Sequence, residues 1–229
     1  MNTRLRRIVT VALSLIGFAS IILAAAPPVI EDTHKTQAPH PAATATGSAV
    51  DTLEQLAVKA RAPKTDYSRS QFGSGWSTTN GCDTRNIILH RDLQNPVVDE
   101  KCVVVSGILN DPYTAMIIPF IKGSSDVQID HVVALSDAWQ TGAVGLRREV
   151  RIQLANDPLE LIAVQGAANQ QKSDGDAATW LPSNKDFRCQ YVARQIAVKQ
   201  KYALWVIPAE KQAISDVLST CPGQTLPPA

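Results

Sequence analysis

The 229-residue chain has almost no net charge, with 22 Lys and Arg against 21 Asp and Glu. That balance excludes a protein that grips nucleic acid through a bulk positive field, although it permits a local basic groove. The signatures of several common enzyme classes are also missing. There is no HExxH, no GxSxG, no Walker A loop and no GxGxxG. No internal repeat is visible. No two of the four cysteines show CxxC-like spacing, which speaks against a zinc site. Histidine is scarce. His34 and His40 fall in a Pro/Ala/Thr-rich stretch, so only His90 and His131 remain for imidazole chemistry in a folded domain.

What is present is enough for one domain with extras. Apolar residues make up 45% and charged residues 19%, a composition that can build a core and rules out wholesale disorder. Arg4, Arg6 and Arg7 precede the uncharged stretch Ile8 to Ala26, which ends in three alanines. This order reads as an export signal, and its 19 residues also reach spanning length, so residues 1–26 are a signal peptide or a membrane anchor. Both readings put the rest of the chain outside the cytoplasmic membrane, secreted or anchored on its outer face. Without those arginines, 19 basic residues face 21 acidic ones, so the exported part is slightly acidic. Cys82, Cys102, Cys189 and Cys221 all follow the signal, and an even number in an exported chain suggests two disulfides. Three pairings are possible; sequence proximity favours Cys82 with Cys102 and Cys189 with Cys221.

Residues 27–50 read as a flexible linker, 51–221 as the domain and 222–229 as a tail. Within the domain the pattern predicts a short helix over 51–61 and strands over 103–109, 115–121, 127–133 and 159–164. Helices are expected over 135–142, 146–155, from 168 or 169 to 181, 188–204 and 209–218. The fold class is α+β.

Asp130 and His131 stand side by side in the strand Val127–Val133. Asn169 and Lys172 follow about 38 residues later at the opening of a helix, with the strand Leu159–Val164 between. Such a two-strand-and-helix clip suits metal-assisted phosphodiester hydrolysis. A hard divalent cation takes oxygen ligands, such as one carboxylate and one amide, and leaves other positions to water and phosphate. A neutral imidazole beside a water can accept its proton. A lysine at a helix start can hold a phosphate. Neighbouring residues of a regular strand face opposite ways, so a shared site predicts a bulge at Asp130–His131.

These stretches, together with Gly81–Asn86, Ala155–Leu159 and Asp176–Pro182, resemble the HNH nuclease superfamily, in particular exported actinobacterial proteins similar to the C-terminal domain of GmrSD-type restriction endonucleases. The resemblance runs from about Tyr67 to Cys221. It implies a ββα-metal core, about residues 127–182, with an added β-hairpin and flanking helices. It further implies cleavage of DNA, or of RNA, with His131 as general base. Asp130 and Asn169 would be ligands of a divalent ion, magnesium or alternatively manganese. The middle Asn of the HNH pattern is replaced by Glu160, which leaves Glu160 or Asn156 to prop the loop carrying the histidine.

Each residue also has a plainer reading. Asn169 alone reads as a helix cap and Lys172 as a solvated surface residue. Arg85 suits either a phosphate or a structural ion pair. The basic run Lys185, Arg188, Arg194, Lys199 and Lys201 suits a solvated helix face or a stripe tracking phosphates, with Arg188 and Arg194 its candidate phosphate contacts. Trp139, Trp180 and Trp205 read as core. No obligate protein partner is evident, and the membrane enters only through the possible anchor. Two rivals to a nuclease are a catalytically inactive exported domain binding nucleic acid or the cell envelope, and a phosphodiesterase with another substrate.

Overall fold

The computed structural model describes residues 47–228. The expected signal or anchor and most of the linker lie outside that range. In chain order the elements are α1 (Ala49–Gln55), β1 (Thr78–Thr79), β2 (Cys82–Asp83), α2 (Thr84–Asp92), β3 (Leu93–Val98), β4 (Val104–Asn110), β5 (Ile117–Ile121), β6 (Val127–His131), α3 (Leu135–Gln140), α4 (Arg148–Ala155), β7 (Leu161–Gln165), α5 (Gly166–Lys172), α6 (Arg188–Lys201) and α7 (Pro208–Ser219). The fold is α+β, with three small antiparallel sheets: β1-β2, β3-β4-β5 and β6-β7. Among the described residues no helix is long and apolar enough to cross a membrane.

The β6-β7 pair is the middle layer of the molecule. Val127 and Ile129 on β6, with Leu161 and Ala163 on β7, join one apolar cluster together with Ile88 and Leu89 of α2 and the inner face of the β3-β4-β5 sheet. On the opposite face Ile162 and Val164 join the larger cluster with Ala168 of α5, the buried side of α6, and α1, α3 and α7. A strand buried on both faces needs apolar residues at both parities, which β7 supplies in Leu161, Ile162, Ala163 and Val164. The long connection from β6 to β7 carries α3 and α4.

Pairing along β6-β7 is in continuous register, from Val127 with Gln165 to His131 with Leu161. The expected bulge is absent. Asp130 therefore shares the α5 face with Gln128, and His131 takes the opposite face, where the strand ends.

The helix after β7 is shorter than its apolar spacing suggests. It stops at Lys172, because Ser173 takes a left-handed φ of 50° with ψ of −125°, and the segment through Trp180 runs on as turns. At its other end Gly166 lies so close to Ser125 that an added β-carbon would overlap the Ser125 carbonyl oxygen. Glycine there allows α5 to seat directly on β6. Strand β3, which contains Pro96, has no counterpart among the predicted elements; it lies at an edge of its sheet, where a missing N–H is tolerated.

Both disulfides follow the proximity pairing, Cys82 with Cys102 and Cys189 with Cys221, and no cysteine is left free. The basic run on α6 is not a solvent-facing stripe. Lys199 is fully buried between Asp137 and Glu210, at 3.1 and 2.8 Å. Lys201 pairs with Asp157 at 2.7 Å. Arg194 donates to the Leu161 carbonyl and Arg188 to that of Pro182. The cause is that α6 is the central helix of the larger cluster, so its long cationic side chains find partners inside the fold.

Candidate functional site

A cavity of about 430 Å³ opens at the end of β6, with Asp130, His131, Gln128, Asn169, Arg85 and Arg69 among its lining residues. Strand β6 delivers the first three, α5 delivers Asn169 and α2 delivers Arg85. Arg69 opens a single 3-10 turn, Arg69–Phe72, before β1, and Asp174 follows α5.

His131 is held on two sides. Its Nε2 lies 3.0 Å from the carbonyl oxygen of Ala155, at the end of α4. A carbonyl can only accept, so Nε2 carries the proton and the neutral ring keeps Nδ1 as its unprotonated nitrogen. Trp76 stacks parallel to the imidazole, 5.8 Å between centroids and 6° between planes. Asn156 fastens the same region, since its Oδ1 accepts from the Ser77 N–H at 2.7 Å and its amide donates to the Ile152 carbonyl. Burial pushes the imidazole down to about 3, and the nearby positive charges of Arg69 and Lys172 act in the same direction. The ring is therefore neutral across the physiological range.

Asp130 is anchored from below. Its Oδ2 accepts from the Tyr113 hydroxyl at 2.5 Å and its Oδ1 from Lys172 at 3.0 Å. Tyr113, in the turn between β4 and β5, is fully buried against Trp180 and Tyr191. Lys172 has no exposed surface and also donates to the His131 carbonyl at 2.8 Å. It lies beneath the site and does not line the cavity, so the expectation that it holds a phosphate gives way to a role under Asp130. Asn169 donates its amide N–H to Gln128 Oε1 at 2.9 Å, and its amide oxygen makes no hydrogen bond among the described residues.

Glu160 is completely buried. Its Oε2 accepts from the Val133 N–H at 3.2 Å, its backbone carbonyl accepts from Val132, and Oε1 has no partner. It thus ties down the chain immediately after His131. Burial raises its carboxyl well above the ordinary range, against the opposing pull of the Val133 N–H.

Arg85 is half-buried with no side-chain hydrogen bond or ion pair among the described residues, and burial lowers its pKa while Asp83 raises it. The structure thus brings Asp130, His131, Asn169 and Arg85 to one cavity and places Arg188 and Arg194 away from it. Sequence reasoning missed Tyr113, Trp76 and Arg69. All three sit in turns or loops that the fold, not spacing, brings to the end of β6.

The chain belongs to the family of GmrSD restriction endonucleases, C-terminal domain, which matches residues 83–217. A relative from Arthroderma benhamiae, described as an uncharacterized secreted protein, is 40% identical over 172 residues, covering 74% of this chain and 82% of the relative. That relative is fungal, so the actinobacterial part of the resemblance finds no support in it. No solved structure matches.

Proposed function

We propose that the protein is an exported nuclease of the HNH type, which hydrolyses phosphodiester bonds of DNA, or of RNA, on a ββα-metal core formed by β6, β7 and α5. The observation that carries this reading is the state of His131. Its Nε2–H is committed to Ala155, which leaves an unprotonated Nδ1 on a buried, neutral ring at the edge of a polar cavity. His131 takes the proton of the attacking water. Trp76 and the Ala155 carbonyl hold the ring in place, Arg85 holds phosphate, Glu160 fixes the backbone after the histidine, and Asn156 fixes Ser77 beside Trp76.

The donors suit a hard divalent ion. Each Asp130 oxygen accepts one hydrogen bond and keeps a further lone pair, and the Asn169 amide oxygen is unengaged. Among the described residues no cluster of three His, Cys, Asp or Glu could hold a metal, so water and phosphate would complete the shell. Asp130 and Asn169 would hold magnesium or manganese, and when bound the ion supplies charge stabilisation to the phosphate undergoing attack. Tyr113 and Lys172 keep Asp130 oriented toward that task. Export is supported by the basic-then-apolar N-terminus, by the two disulfides and by the description of the fungal relative.

The test is incubation of the secreted protein with plasmid DNA and with RNA, with magnesium or manganese, with and without EDTA. Metal-dependent cleavage leaving 5′-phosphate and 3′-hydroxyl ends is expected. Intact nucleic acid in every condition would sink the reading. A second reading, binding without cleavage, draws on the occupied oxygens of Asp130 and on Glu160 in place of Asn. It predicts retention of labelled nucleic acid without turnover. Cleavage limited to chromogenic phosphodiesters would point to a substrate other than nucleic acid.

A further inference from the structure

The walls of the site come from two parts of the chain. The family match begins at residue 83, yet Tyr67 and Arg69 line the main cavity from the segment before it. A second cavity, about 120 Å³, lies on the other side of His131. Arg69, His131 and Leu135 line both cavities, and Phe72, Gly75 and Trp76 close the smaller one. Arg69 therefore borders both spaces, as the imidazole does.

The charges around the cavity are unequal. Asp130 is matched by the buried Lys172, and Asp174 by Lys64 at 2.7 Å. The carboxylate of Asp83, nearest to Arg85, is taken up by capping α2 through the N–H and the amide of Asn86. Arg69 and Arg85 have no such partners among the described residues. Arg85 is half-buried with its donors unused, which is costly, and an anion seated against it offsets that cost; Arg69 is exposed at the rim and free to meet the same anion. The domain as a whole provides no positive field, so two local cations decide where a polyanion settles.

We propose that Arg69 and Arg85 form a phosphate clamp on either side of His131, and that a nucleic-acid strand passes from the larger cavity to the smaller beneath Arg69. The segment preceding the family domain is then part of the substrate site. This rests on the nuclease reading for the identity of the ligand. It does not rest on catalysis.

The experiment is binding of a fluorescent oligothymidylate of about 12 nucleotides to the full chain in EDTA, over a series of salt concentrations. Wild type should bind with a linear dependence of log affinity on log salt. Arg69→Ala and Arg85→Ala should each flatten the slope by roughly 0.7, one phosphate contact on a single strand, and weaken binding roughly tenfold. Arg69→Lys should keep the slope. Lys101→Ala, a change at an exposed lysine outside both cavities, should leave the slope unchanged.

Slopes unaltered in both arginine variants overturn the clamp, as does the absence of wild-type binding at low salt. So does an equal loss in Lys101→Ala, which would mean bulk charge. Loss of slope without any metal-dependent cleavage by wild type supports the clamp and removes the nuclease reading. Cleavage with unaltered slopes does the reverse.

Discussion

Lys172→Met separates a lysine that supports the site from one that touches substrate. In the structure the ammonium has no exposed surface and Asp130 is only 6% exposed, with 3.0 Å between the charged atoms and 2.8 Å from Nζ to the His131 carbonyl. Methionine fills similar volume but removes the positive charge, so Asp130 is left buried with one hydrogen bond, from Tyr113. Breaking a buried pair by removing one partner costs about 3–5 kcal/mol. With a urea m-value of about 2 kcal/mol/M, that is a midpoint lower by roughly 2 M. Tryptophan fluorescence during urea unfolding reads it directly. Replacing Asp130 with methionine as well should recover part of the loss. The remainder, ~2 kcal/mol, is the Tyr113 hydroxyl left without its acceptor and the His131 carbonyl left without the lysine. A lysine that holds phosphate behaves differently: its variant unfolds within about 0.5 kcal/mol of wild type and loses oligonucleotide affinity instead. That outcome would refute the support role.

Further outcomes follow from other strained or charged positions. Burial pushes the Glu210 carboxyl up to about 7, with Lys199 pulling the other way and Asp137 adding to the rise. Between about pH 4.5 and 7 the folded state holds a proton that the unfolded chain has released, so stability falls as pH rises through that window, by at most about 3 kcal/mol. Unfolding free energies at pH 5 and pH 8 should show this fall diminished in Glu210→Gln, and an identical fall in both proteins would contradict it. Ser173→Gly should relieve the left-handed backbone after α5, worth about 1 kcal/mol and roughly 2–4 °C in Tm by calorimetry. An unchanged or lower Tm would show that the conformation is not strained. Replacing Cys189 and Cys221 together by serine, which opens the bridge spanning 32 residues and leaves Cys82–Cys102 closed, should cost about 4 kcal/mol, measured as the difference between urea curves of variant and wild type; coincident curves would rule that out.

How far the fold was legible in the sequence depended on the length and evenness of each pattern. The apolar run Leu159–Val164 marks β7, because a strand buried on both sides has little room for polar residues, while β6 is marked by Val127 and Ile129 alternating with Gln128 and Asp130. The amphipathic spacing of α6 and α7 is equally plain. Failures cluster where one backbone angle or a distant partner decides. Ser173 ends α5 through its left-handed φ, while the spacing of Ala177 and Trp180 continues to suggest helix. The cations of α6 look solvated until Asp137, Glu210 and Asp157 are seen beside them. At the site, Asp130, His131 and Asn169 are marked by their order along a strand, a strand and a helix. Tyr113, Arg69 and Trp76 carry no local mark, because each reaches the end of β6 from a loop or turn. The bulge expected at Asp130 proved unnecessary. The strand ends at His131, and the cavity there takes residues from both of its faces.

The most direct measurement is the rate of plasmid cleavage by wild type and His131→Ala at saturating magnesium or manganese, with oligothymidylate binding followed in parallel. Loss of the general base should lower the rate by roughly 10²- to 10⁴-fold and leave binding in place. Equal cleavage by the two proteins would contradict the chemistry assigned to His131.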